Sequence, residues 1–269
     1  MPSIKKVHGI LELLREKYQT GLTNKEISSA LNIPLSTCYR ILASLKKYDY
    51  VQQKPNDMHY YLGFVHLRFA QALMEGLDEN AIIDPYLEEL HQKTGLTTLF
   101  SRFNGQHCVA MEVRGSVNTR ISVGIGEILP LHCSSTGKVV LSFLPENQRE
   151  KLLSVIKFEE HTPQTIMDLD TLKQEISIIQ ESGMAYNLGE LHQGISSMAT
   201  PLFDRTNKVF GALAVVGTSQ NLPFESLQKF GPLFHAIGQK ITEALGGKYP
   251  DRIEVRGRQE TGDRKPETE

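Results

Sequence analysis

The stretch Leu22-Thr23-Asn24-Lys25-Glu26-Ile27-Ser28-Ser29-Ala30-Leu31-Asn32-Ile33-Pro34-Leu35-Ser36-Thr37-Cys38-Tyr39-Arg40-Ile41-Leu42 decides the fold of the N-terminal part of the chain. Thr23 or Asn24 caps a helix, and Glu26 sits in its first turn, where short polar side chains satisfy free amides and acids meet the positive helix end. That helix is expected to bury Ile27, Ala30 and Leu31. Asn32-Ile33-Pro34 is a short connection, because proline lacks an N–H and suits a helix start. Beyond it, Cys38, Ile41, Leu42 and Leu45 recur at helical spacing and predict another helix with one buried stripe. Its other face carries Ser36, Thr37, Tyr39 and Arg40, with Ser44 and Lys47 further along.

Upstream, Val7, Ile10, Leu11 and Leu14 mark a first amphipathic helix that ends at Thr20-Gly21. Downstream, residues 50–54 and 59–62 flank the turn Pro55-Asn56-Asp57-Met58 and predict a hairpin. Within it, one of Tyr60 and Tyr61 is expected to pack and the other to be exposed. Gly63 punctuates, and Phe64 to Met74 is a linking helix. Helix, helix, short turn, helix and hairpin make a winged helix-turn-helix. The third helix of such a unit enters the major groove with its N-terminal residues against base edges. Hydroxyls bond phosphates or bases, arginine pairs bidentately with guanine, and a wing lysine reaches the backbone or minor groove. The candidate DNA-binding residues are therefore Thr23, Asn24, Leu35, Ser36, Thr37, Tyr39, Arg40 and Lys54. Double-stranded DNA is the expected partner.

Charge is distributed in the same sense. Residues 1–76 hold ten Lys/Arg against six Asp/Glu, a net +4, while residues 77–247 hold 13 against 19, a net −6. A basic head on an acidic body is expected where only the head meets a polyanion. No run approaches the 18 apolar residues of a membrane span, and no secretory leader is evident. The three cysteines, Cys38, Cys108 and Cys133, are widely spaced and odd in number, which fits a reducing cytoplasm rather than a disulfide framework.

From about Leu77 the pattern changes. Helices are expected at 81–94, 135–144, 145–153, 169–182 and 224–245, the fourth stopping at Gly183. Strands are expected at 97–103, 108–113, 196–202 and 209–217, with a possible further one at 121–123. Helices and strands mix without strict alternation, which predicts an α+β domain. The tail from Lys248 is charged, poor in large apolar residues and expected to be disordered.

Two sets of residues resemble one known family, the IclR regulators of bacteria. In the first domain the set is Leu22 to Ile27 and Ile33-Pro34-Leu35-Ser36-Thr37-Cys38-Tyr39-Arg40. In the second it is Leu129-Pro130-Leu131-His132-Cys133-Ser134-Ser135-Thr136-Gly137-Lys138, and Glu181 to Ala185 with Gly194 to Pro201. The resemblance runs from about residue 4 to 246. It implies a GAF-like effector-binding domain (77–247), which with the readings above divides the chain into a winged helix-turn-helix (1–63), a linker helix (64–76), that domain and a disordered tail (248–269). It also implies a DNA-binding repressor of a catabolic operon, homodimeric or homotetrameric, on a pseudo-palindromic operator. In the family a small carboxylate meets backbone amides at a helix start, here Ser135 and Thr136. The resemblance places Asn187 where many members have an acid, and Ser197 where many have a cysteine, with Ile195 in the same segment. Ala214 and Val216 stand where a glyoxylate- and pyruvate-sensing member has serines. Losing those hydroxyls favours a more apolar effector.

Other chemistry is weaker. His132 and Cys133, with His192, lack the spaced partners of a metal site, and a packed histidine and buried thiol are expected instead. Ser135-Thr136-Gly137-Lys138 is not a phosphate loop, since His132 occupies the position of its first glycine and Val139 follows the lysine. No cofactor, metal, catalytic residue or membrane contact is expected. The alternative is a metabolite-binding module, or a thiol or metal enzyme, whose winged helix makes protein contacts.

Overall fold

Glu26 and Thr23 lock the start of the helix-turn-helix in a reciprocal capping box. The Thr23 hydroxyl accepts from the Glu26 amide, and the Glu26 carboxylate accepts from the Thr23 amide at 2.7 Å. The computed structural model describes residues 4–54, 57–75, 78–115 and 123–250. The chain divides into two compact units, Met1–Asp78 and Glu79–Glu269.

The first unit contains α1 (Ile4–Glu16), β1 (Leu22–Thr23), α2 (Asn24–Ala30), α3 (Leu35–Lys47), β2 (Val51–Gln53), β3 (His59–Leu62) and α4 (Val65–Glu75). The strands form an antiparallel sheet in the order β1-β3-β2. Ile10 and Leu14 of α1, Ile27 of α2, and Cys38, Ile41, Leu42 and Leu45 of α3 share one core with Val51 and Tyr60. Ala30 departs from expectation: it is exposed, while Ile27 is fully buried and Leu31 is half-buried against the same core. Tyr60 is the packed tyrosine of the hairpin, while Tyr61 is half-buried. Gly63 is sterically required, since a Cβ there would lie 1.9 Å from the Asp49 carbonyl oxygen.

The second unit contains α5 (Asp78–Thr94), β4 (Thr97–Phe103), β5 (Cys108–Arg114), β6 (Ile128–Leu129), α6 (Ser135–Phe143), α7 (Glu146–Leu153), α8 (Leu169–Ser182), β7 (Ala185–Leu188), β8 (Ile195–Phe203), β9 (Val209–Thr218) and α9 (Phe224–Ala244). Its sheet is antiparallel throughout, in the order β6-β5-β4-β9-β8-β7. Strands β8 and β9 are buried along nearly their whole length. The reason is coverage of both faces: Ser197 meets α6 through Ser135, and Thr200, on the opposite face by alternation, meets α9 at Gly238. Gly183 ends α8 in the left-handed region, at φ 69°.

Some expectations fall wholly or partly outside the described residues: residues 1–3 of the winged helix-turn-helix, the Pro55-Asn56 part of the wing turn, Gly76 and Leu77 at the border of linker and effector domain, Ile121 and Ser122 of the extra strand, and the tail from residue 251. Val123 is described and is not a strand. The start of the tail is a correction. Lys248 donates its amide to Asn207 Oδ1 at 2.8 Å, and the buried Tyr249 pairs its hydroxyl with Thr200 Oγ1 at 2.7 Å. The domain thus keeps an apolar anchor, Tyr249, inside a segment whose charge suggests only solvent.

Candidate functional site

The buried stripe of α3 fixes what its other face presents. Leu35, Ser36, Tyr39 and Arg40 are exposed and Thr37 is half-buried. Pro34 precedes the helix and supplies no side-chain cap, so the first amides of α3 remain available to an outside acceptor. Thr23 and Asn24 stand at the entry to α2 rather than on this face. Thr23 is held in the capping box, and Asn24 Nδ2 donates to the Leu35 carbonyl at 3.4 Å, which ties α2 to the start of α3. In the wing, Lys54 is exposed with its Nζ 4.6 Å from the centre of the Tyr61 ring. Asp57 accepts from the His59 amide, pairs with His59 Nδ1 and accepts from the Tyr61 hydroxyl, and these bonds hold its carboxyl at about 2. The aromatic of the wing thereby carries a lysine on one side and a fixed carboxylate on the other.

In the second unit, Ser135, Thr136, Asn187, Ile195, Ser197, Ala214 and Val216 line one cavity of about 30 Å³. Four separate elements bring them there. Ser134 caps α6, its hydroxyl accepting from the Gly137 amide at 2.9 Å, so the amides of Ser135 and Thr136 lead the helix. Ser135 Oγ and Ser197 Oγ are 2.8 Å apart. Asn187 uses its Oδ1 to accept the Glu190 amide at 2.7 Å, which shapes the β7–β8 turn. Ala214 and Val216 lie on β9 beside Ala199 and Ser197 of β8. The remaining lining includes apolar Leu99, Val123, Leu129 and Leu191, with Ser134, and the pair Glu127 and His192, whose nearest atoms are 3.8 Å apart. Sequence reasoning missed Glu127 and His192 as pocket residues. Nothing local marks them, because both come from turns.

Directly behind this helix start lies a buried ion cluster that sequence reasoning also missed. Lys138 is fully buried, with Nζ 2.7 and 2.8 Å from the two oxygens of Glu190 and 3.4 Å from Glu175. A single lysine in the otherwise apolar run 137–141 was the available signal.

His192 does not join His132 and Cys133. The structure places it at the pocket and brings His161 to them instead. Burial pushes the Cys133 thiol up to about 12, aided by Glu190, and lowers the His132 imidazole.

A model of the IclR helix-turn-helix domain matches residues 3–55, and a model of the bacterial transcriptional regulator IclR C-terminal region matches residues 71–243. The Escherichia coli regulator XynR is 26% identical over 249 residues, covering 92% of this chain and 98% of that protein. The E. coli repressor AllR is 27% identical over 240 residues, covering 89% of this chain and 88% of that protein. A crystal structure of a regulator from Alicyclobacillus acidocaldarius superposes with a TM-score of 0.74 at 24% identity, covering 92% of this chain and 99% of that one. The fold class, a helix-turn-helix followed by an α+β GAF-like domain, is therefore the one expected. No helix among the described residues is long and apolar enough to cross a membrane.

Proposed function

The chain belongs to the IclR family of bacterial transcriptional regulators, and on that footing we propose that it is a cytoplasmic repressor of catabolic genes controlled by a small carboxylate. The observation that carries the DNA-binding half is the face of α3, where Ser36, Tyr39 and Arg40 are exposed opposite a continuous buried stripe. Thr37 and Leu35 flank these base-reading groups, Lys54 adds a backbone contact from the wing, and Thr23 and Asn24 hold the turn that aims the helix.

The effector half rests on the cavity at the start of α6. Leading helix amides and two serine hydroxyls suit a carboxylate, and Ile195, Ala214 and Val216 suit an apolar body. Asn187 sets one wall. A volume of about 30 Å³ holds no more than one or two waters, so an effector has to displace the walls as it enters. That displacement is what couples occupancy to the DNA-binding unit.

Two further features support the reading. Phe69 and Leu73, one turn apart on α4, are exposed and share an apolar face that a second copy covers in a homodimer or homotetramer. A dimer reads a pseudo-palindrome. The alternative of a thiol enzyme is disfavoured by Cys133, since a nucleophilic cysteine is held as a thiolate and this one is pushed the other way.

Arg40→Ala tests the proposal. It should weaken binding to the DNA upstream of the chain's own gene by about 10- to 100-fold, the span of one bidentate base contact. Because Arg40 is exposed, thermal stability should not change. Unchanged affinity in a folded variant would remove α3 as the reading helix.

A further inference from the structure

We propose that Glu127 sets the specificity of the cavity at the start of α6, selecting a monocarboxylate that bears a hydroxyl over a dicarboxylate; this rests on the reading of that cavity as a carboxylate site. Glu127 is the one carboxyl side chain among the described residues that line it. The cavity measures about 30 Å³, so no part of an effector can stay far from its walls. Effector entry displaces some of those walls, but Glu127 is tied to the sheet. Its carbonyl accepts from the Ala110 amide of β5 at 3.0 Å, and the neighbouring Gly126 amide donates to the Ala110 carbonyl at 2.7 Å. Its amide donates to the Gly124 carbonyl at 3.0 Å.

The side chain is held as well. Glu127 Oε2 accepts from the Gly124 amide at 2.9 Å. The other oxygen, Oε1, has His192 Nε2 at 3.8 Å, beyond hydrogen-bond reach. His192 comes from the turn between β7 and β8 and is the outer member of the pair, its side chain 58% exposed against 30% for Glu127. A carboxylate oxygen only accepts, so Oε1 is matched by a donor on the effector. The side chains of Ile195, Ala214 and Val216, on the same lining, offer no hydrogen bond. An effector therefore places its own carboxylate at the leading amides of α6, lays an apolar body on these side chains and turns one hydroxyl to Glu127. A dicarboxylate instead brings a second negative charge against Glu127, a like-charge contact that suppresses binding.

The test compares propanoate, 3-hydroxypropanoate and succinate, which carry hydrogen, hydroxyl and carboxylate at the same carbon of one frame. Their affinities for the full chain are read by ligand-observed NMR. The hydroxy acid should bind at least about 10-fold more tightly than propanoate, and succinate at least about 10-fold more weakly. Glu127→Gln keeps an acceptor for the Gly124 amide and removes the charge. In that variant the succinate penalty should vanish and the hydroxyl preference should shrink, whereas a penalty due to size alone would survive. His192→Ala should preserve the order of the three ligands. A parent chain that does not favour the hydroxy acid, or ratios unchanged in Glu127→Gln, would overturn the role of Glu127. A changed order in His192→Ala would pass that role to His192 and overturn it equally. Binding of none of the three would instead overturn the carboxylate site beneath it.

Discussion

Lys138→Met should lower the unfolding free energy of the C-terminal unit by about 3–5 kcal/mol, the cost of removing one partner from a buried ion pair. The side chain is fully buried and both Glu190 oxygens sit within 2.8 Å of Nζ. Methionine matches the lysine stem in volume, so packing is kept while the buried carboxylates lose their counter-charge. The effect should appear in urea as a lower midpoint with an unchanged slope. Glu175→Gln should cost less, because its contact is the longer one at 3.4 Å. The pair also has a place in the proposed mechanism. Lys138 is one turn into α6, and the Glu190 amide is held by Asn187, so the ion pair joins two walls of the effector cavity. A midpoint for Lys138→Met within experimental error of the parent would contradict this account.

Gly137→Ala should be nearly as damaging, for a steric reason. An added Cβ would lie 2.1 Å from the Pro130 carbonyl oxygen and 2.7 Å from both Leu131 Cα and Ser134 Oγ. Two of those atoms are backbone and cannot rotate away. The Pro130 carbonyl already accepts from the Ser134 hydroxyl and amide, so moving it breaks the cap of α6. A loss of about 3 kcal/mol or more is expected from overpacking at such a point. Any folded fraction should also lose the stabilisation of about 2.7 kcal/mol that a carboxylate at 100 times its Kd would confer. Gly124→Ala is the control, since nothing lies within 4 Å of its added Cβ and its stability should stay within about 0.5 kcal/mol. Equal urea midpoints for the two variants would refute the steric argument.

The helical parts of the fold were legible because their signal is local. The α3 stripe of Cys38, Ile41, Leu42 and Leu45 is buried as its spacing requires. Strand β9 was legible for the opposite reason: covered on both faces, it is a nearly continuous apolar run, whereas β8 is as fully buried but interleaves Ser196, Ser197 and Thr200 with its apolar residues. The two-residue strands β1 and β6 are too short to show any period, and β7 is four residues without alternation, buried at its first three. Their pairing is decided by partners far away in sequence.

The site divides in the same way. Arg40 and Tyr39 follow from where the buried stripe lies. The cavity residues do not: Ser135, Asn187, Ser197 and Val216 meet through the pairing of β7, β8 and β9, and only the family resemblance brought them together in advance. His161 shows the limit. It stands 28 positions from Cys133 in a turn with no motif around it, and tertiary packing alone puts it beside His132.

The most direct test of the whole reading is the affinity of the intact chain for its own upstream DNA, measured across salt concentrations with and without a carboxylate that raises its Tm. The account predicts binding that weakens steeply as salt rises. It also predicts a shift of about 5- to 150-fold when that carboxylate is bound, the usual span of allosteric coupling. Binding that ignores salt, or that is the same with and without every stabilising carboxylate, would contradict it.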